Sequence, residues 1–301
     1  MSSYLHDGIL LYLERIADWE SYFNFTKGED SDIASERDAL RGVLETAASI
    51  CEKIEGPCRE TWDQPAELVD GEVILPESSQ KAYEMLKEAG LVSLSVREEY
   101  GGFELPGFAS NVVIQMISRA NAGLMTIVGL QSGTAEDIQR YASEELRNEF
   151  LPRFASGEVL GSMDLTEPQA GSDLGAIQTR ARDEGEISKI TGDKIFITNG
   201  GAEVHLVLAR DDDNYEASKG STKGLSLFIC PRTRRDGSKN GVTVERLEHK
   251  MGIHCSPTAA VHFEDAEAYR IGDKGEGFKA MLDLMNNARV GVAAQGIGIA
   301  E

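Results

Sequence analysis

The feature that most constrains this chain is a change of hydrophobic period along it. Leu40, Val43, Leu44, Ala47, Ile50, Cys51 and Ile54 recur at i, i+3, i+4, i+7, the stripe of an amphipathic helix. Glu55-Gly56-Pro57 is expected to stop that helix. A second helix is expected after Pro76, with Ala82, Met85, Leu86 and Ala89 on one face and Gly90 just past its end. "EEYGGFELPG" reads as a loop. Apolar helices follow over about 108–121 and 125–141, and Ser143 caps another that Pro152 should break. Near residue 160 the period becomes two. "GSMDLT", "ISKITG", "KIFITNGG", "EVHLVLAR", "GLSLFICP", "GVTVERL" and "AAVHFED" are short alternating runs between turn signals. After Gly277 helical spacing returns with Phe278, Met281, Leu282 and Met285, and "NNA" reads as a break before the Ala/Gly-rich "RVGVAAQGIGIAE". Helices segregated from strands argue α+β rather than a doubly wound sheet. The expected parts are an all-helical domain over 1–158, an antiparallel β-barrel or sandwich over 159–270, and the start of a helical bundle over 271–301.

A length of 301 residues supports about two domains and a sizeable core. The net charge of -21, from 51 acids and 30 bases, argues against a broad nucleic-acid surface. A small anionic ligand remains compatible, because a few nearby bases outweigh the global sign. The four cysteines form no C-x-x-C pair and have no zinc-like histidine spacing, as expected of thiols in a reducing compartment. His249, His254 and His262 show no i, i+4 metal pair. No apolar run reaches transmembrane length, and the N-terminus lacks a signal-peptide pattern, so the expected location is cytoplasmic.

Two stretches stand out. In "KIFITNGG" alternation puts Phe196 and Thr198 on one face and Ile195 and Ile197 on the other, and Asn199-Gly200 is a hairpin-turn signal. In "LTEPQAGSD" Pro168, Gly171, Ser172 and Asp173 are explained by turn chemistry. The same loop, rich in backbone N–H groups, could also cradle a phosphate, although it has no Walker lysine and no G-x-G-x-x-G.

Taken together, "MDLTEPQAGSDLGAIQTRA", "ITGDKIFITNGGAEVHLVLAR", "KGLSLFICPR", "HKMGIHCSPTAAVHFEDA" and "IGDKGEGFKAMLDLMNNARVGVAA" resemble the acyl-CoA dehydrogenase family in order and spacing. The resemblance covers about 80–301 well and the first 75 residues loosely. The "TEPQAGSD" and "GIHCSPT" variants are most similar to its large bacterial branch, which includes methylthiopropionyl-CoA dehydrogenases. It implies FAD as cofactor, with Met163, Leu165, Thr166, Gly171 and Ser172 around the flavin, and Thr166 on its pyrimidine side. It implies Phe196 in the place of the family's usual tryptophan against the flavin and Thr198 near N5. It also implies Arg289 on the pyrophosphate, often from a neighbouring subunit, for which a guanidinium is suited. Ser172, Ser256 and Thr258 fall where the acyl-CoA substrate is met. Ala259 stands where an arginine is common.

The activity implied is α,β-dehydrogenation of an acyl-CoA thioester by a homodimer or homotetramer, with electrons passing to an electron-transferring flavoprotein. Same-fold alternatives are an acyl-CoA oxidase and a DNA-associated alkylation-response flavoprotein. A non-enzymatic interaction module is a further alternative. The general base is expected beyond residue 301: the alternative family position is Ala288, preceded by Asn286 and Asn287, and none of these ionises near neutral pH. The chain alone is therefore expected to be inactive.

Overall fold

A computed structural model describes residues 2–301. The helices are α1 Asp7–Leu11, α2 Trp19–Lys27, α3 Ile33–Glu60, α4 Glu77–Glu88, α5 Gly107–Ala120, α6 Ala122–Tyr141, α7 Glu144–Ala155, α8 Tyr215–Ser218 and α9 Gly277–Ala300. The strands are β1 Glu67–Val69, β2 Glu72–Ile74, β3 Gly161–Asp164, β4 Arg180–Asp183, β5 Ser188–Thr198, β6 Val204–Asp211, β7 Leu225–Pro231, β8 Val242–Leu247 and β9 Thr258–Ile271.

Strands β6, β4, β5, β9 and β7 pair in turn, and β7 pairs back onto β6, so the sheet closes into a barrel. Closure removes the free edges that an open sheet would expose. Strand β3 adds to β6 and β8 to β9. The β3–β6 and β4–β6 pairings are parallel, which corrects the expectation of a purely antiparallel module. Strand alternation decides what each face of the barrel wall meets. On β6, Val204, Leu206 and Leu208 pack into a core shared with the helices, while Val207 and Ala209 point into the barrel. On β7, Leu227 and Ile229 face the helices and Phe228 and Cys230 face the barrel. Both strands are therefore buried along their whole length, covered by helices on one side and by the barrel interior on the other.

Several boundaries differ from the sequence expectation. Helix α3 continues through Pro57 to Glu60, because a proline in the last turns deletes one bond near an end that frays anyway. Helix α7 likewise carries Pro152. The N-terminal part is not all helical: β1 and β2 form a hairpin turned by Asp70-Gly71, both at positive φ, the requirement of a two-residue turn. Its Leu68 and Val73 pack on the barrel core. Helix α9 runs unbroken through "NNA", because Asn286 accepts from Arg289 at 2.7 Å and Asn287 donates to Glu136 at 2.9 Å, instead of competing for their own backbone. "ISKITG" and "KIFITNGG" are one long strand, β5, and β4 escaped the period-two reading. All four cysteines are free and buried. No helix is long and apolar enough to cross a membrane among the described residues.

Candidate functional site

Strand β5 carries an irregularity at its far end. Its register against β9 shifts between Lys194 and Ile197, where one extra residue is inserted, and Phe196 takes a φ of 59°. A left-handed backbone is an outlier for an aromatic residue, and such strain gathers at functional positions. Phe196 is 61% exposed, whereas Ile197 is buried in the barrel core. The bulge also corrects the alternation drawn from sequence. Ile195 does not share the buried face with Ile197; it is half-buried, and its N–H donates to the Thr166 carbonyl at 2.9 Å. That bond lays the 163–166 segment alongside 195–198. Asn199, also at positive φ, donates from its amide side chain to the Gly161 carbonyl at 2.9 Å, tying the β5 turn to the start of β3.

Thr198 opens into a cavity of about 480 Å³ between α5, α6 and α9. Most of its wall is apolar, with Leu94, Ile114, Met125 and Leu130 among the contributors. Gly107, Gly129, Gly133 and Gly291 line it too, and four glycines leave room that larger side chains would fill. Among the described residues Glu136 is the one acidic or basic side chain on the wall, and it accepts from Asn287. Sequence reading missed Glu136, because an acid in "GTAEDIQRY" is indistinguishable from a solvated helix charge.

The other candidates occupy different environments. Met163 and Thr166 are half-buried, next to β5. Leu165 is buried in the helix-facing core, and it is its carbonyl that is engaged, by Lys194. Ser256 is fully buried with its hydroxyl bonded to Thr126 at 2.6 Å, so it serves as a strut beneath the cavity wall. Thr258 is the β9 partner of Thr198. Gly171 and Ser172 stand in the exposed loop after Pro168, away from the cavity wall. Arg289 is exposed on α9 between two cavity-lining neighbours, Ala288 and Val290.

Buried ionic groups underlie the 163–179 segment. Lys194 and Glu167 pair at 2.8 Å with almost no solvent contact. Burial opposes ionisation of Glu167, but the adjacent Lys194 ammonium, with the Thr179 and Gln178 N–H groups, holds its carboxyl below the usual range. Burial pulls Lys194 down, and Glu167 opposes that. On α6, Asp137 is 2% exposed, its Oδ2 has no hydrogen-bond partner among the described residues, and burial pushes its carboxyl up to about 8. On the outer sheet face Asp193, Glu245 and His262 approach one another, with His262 and Asp193 hydrogen-bonded at 2.6 Å within reach of solvent.

Residues 38–158 match the family model described as the acyl-CoA dehydrogenase N-terminal domain, and 162–266 match the acyl-CoA dehydrogenase middle domain. A 3-methylmercaptopropionyl-CoA dehydrogenase from Ruegeria pomeroyi is 34% identical over 281 residues, 88% of this chain and 47% of the relative. The chain spans about half the length of these curated relatives that it matches. Among solved structures, a chain described as butyryl-CoA dehydrogenase from Megasphaera elsdenii aligns with a TM-score of 0.74 at 28% identity, over 87% of this chain and 66% of that one. An acyl-CoA dehydrogenase complexed with FAD from Bacillus anthracis aligns at 0.67 and 27% identity, over 90% of this chain and 42% of that one. With the helical part, the barrel and both domain matches in register, the chain belongs to the acyl-CoA dehydrogenase family.

Proposed function

We propose that this chain carries the flavin-binding part of an FAD-dependent acyl-CoA dehydrogenase that desaturates an acyl thioester between Cα and Cβ. The observation that carries the reading is Phe196, an exposed aromatic held on left-handed backbone beside Thr198 at the mouth of an apolar cavity. Folding does not need that residue there, and a flat ring system would use it. The surrounding groups fit FAD. Thr166 has a backbone N–H with no acceptor among the described residues, which a heterocycle can fill. Met163 and Thr198 supply an apolar contact and a hydroxyl beside it. Arg289 offers a cation for a diphosphate.

Bound FAD supplies the two-electron acceptor for the hydride that leaves the acyl Cβ. The residues of this chain bind and orient. Leu94, Ile114, Met125 and Leu130 exclude water from the acyl chain, and Gly129 and Gly133 leave it depth. The α-proton needs a carboxylate within hydrogen-bond reach. Among the described residues Glu136 is the one carboxylate on the wall, already bonded to Asn287, and Ala288 cannot act as a base. We therefore propose that the base comes from outside this sequence. The complete protein is proposed to be a cytoplasmic homodimer or homotetramer that passes electrons to an electron-transferring flavoprotein. The exposed Val290, Val292, Ile297 and Ile299 on α9 support an assembly that covers them.

The test is anaerobic: FAD-loaded chain is mixed with a panel of acyl-CoA thioesters and flavin absorption is followed, with Glu136→Gln in parallel. The reading expects FAD to bind and the chain alone to give no bleaching, with bleaching in the complete protein. Bleaching by this chain that Glu136→Gln abolishes would show that the base has been assigned wrongly.

A further inference from the structure

Beneath the 163–179 segment lie buried ionic side chains that no step of the proposed reaction uses. Lys194 has no exposed surface, and its ammonium donates to the Leu165 carbonyl at 3.0 Å, to the Leu208 carbonyl at 2.8 Å and to Glu167 at 2.8 Å. All three ammonium protons are thereby used. Glu167 returns to the same segment, accepting from the N–H groups of Gln178 at 2.7 Å and Thr179 at 3.0 Å. Arg210 is also fully buried and has no carboxylate in ion-pair contact among the described residues. Its guanidinium donates to the carbonyls of Gly175 at 3.0 Å and Ile177 at 3.3 Å, and on the far side to those of Ser218 and Ser221 at 2.7 and 3.0 Å. One buried cation thus holds each end of the segment by its main chain.

Such an arrangement is costly if its only purpose is stability. Apolar side chains of similar volume hold a core together without desolvating charge. What a cation bonded to carbonyls adds is a fixed backbone where no ladder exists, and residues 165–173 belong to no helix or strand. The peptide linking Leu165 to Thr166 shows the consequence. Its carbonyl points down to the buried Lys194. In a trans peptide the N–H points the opposite way. The Thr166 N–H is therefore directed away from Lys194, and it has no acceptor among the described residues. A charged donor on a carbonyl polarises the amide and strengthens its N–H as a donor.

We infer that Lys194 is a positioning residue: it holds the Leu165–Thr166 peptide with its N–H presented as a polarised donor to an electron-rich heteroatom of the bound flavin ring, while Arg210 fixes the other end of the segment. Electron density placed on the ring by reduction is stabilised by such a donor, so the cation raises the tendency of the flavin to accept electrons. The inference rests on the flavin reading proposed above.

The experiment separates the two. Wild-type chain, Lys194→Met, and the double variant Lys194→Met/Glu167→Gln are compared by thermal unfolding, by FAD fluorescence titration, and by the reduction potential of bound FAD against reference dyes. The single variant leaves the Glu167 charge buried alone and should lose stability. The double variant removes both charges and should regain most of it. Even so, it should bind FAD about tenfold more weakly, the scale of one hydrogen bond, with the potential shifted to lower values. A double variant with wild-type affinity and potential would make Lys194 a structural strut and overturn the inference alone. No saturable FAD binding by the wild type would overturn the flavin reading and this inference with it. Thr166→Pro, which deletes the N–H, compared with Thr166→Val, which keeps it, gives a second route if the Lys194 variants do not fold. Equal FAD affinity of the two would also overturn the inference.

Discussion

Phe196 and Ile197 are adjacent and opposite in purpose. Phe196 sits at a φ of 59°, a conformation that costs an L-residue about 1 kcal/mol or more. Phe196→Gly should therefore leave the unliganded chain as stable as wild type or slightly more so, while weakening FAD binding; melting curves with and without FAD check both halves. Ile197→Thr should do the reverse, destabilising by about 1–3 kcal/mol through a hydroxyl in the barrel core while sparing the flavin contacts. Asp137 gives a pH prediction. Its folded-state carboxyl is raised to about 8, so between the ordinary carboxylate range and pH 8 the folded form binds a proton that the unfolded chain has released. Its contribution is thus fully present at low pH and lost as pH rises toward 8. Asp137→Asn should flatten that slope and raise the melting temperature more at pH 8 than at pH 5. A slope unchanged by the substitution would show that burial of Asp137 does not set it. Sequence could show Thr198 as a strand residue on an accessible face. It could not show the inserted residue that gives Phe196 its backbone, because alternation carries no signal for a bulge. Nor could it show that Lys194, in "GDKIFIT", is buried, since lysine in a strand usually lies at the surface.

Between elements, close approach is set by glycines whose roles look alike in the sequence. On α9 a Cβ at Gly298 would lie 2.3 Å from the Gln115 carbonyl of α5, whereas at Gly296 it would meet nothing. Gly298→Ala should accordingly cost about 1–3 kcal/mol by forcing the helices apart. Gly296→Ala should gain about 0.5–1 kcal/mol from helix propensity. Chemical denaturation of the two variants distinguishes them, and equal effects would mean that α9 does not pack on α5 as described. The order of helices, strands and final helix was legible in the hydrophobic period, and so was the Ser143 cap, whose hydroxyl accepts from Leu146. The ends of α3 and α7 were not, because proline signals a break without saying how many turns remain beyond it. The parallel strand pairs were not legible either, since pairing direction depends on contacts between residues far apart in the chain.

For the molecule as a whole, the acyl-CoA dehydrogenase fold brings a helical layer, a closed barrel and the final helix to one cavity, with the 163–166 and 195–198 segments side by side near its mouth. The family was legible from five sequence segments in order, and the cavity was not, because its wall is drawn from α5, α6 and α9 together. That arrangement makes flavin binding the central claim, separable from turnover. The most direct measurement is a fluorescence titration of FAD with this chain, repeated with Thr198→Val after its melting temperature has been shown to match wild type. The account predicts saturable quenching by the wild type and a clear loss of affinity in Thr198→Val. Absence of saturable quenching by the folded wild-type chain, or identical binding curves for the two proteins, would contradict it.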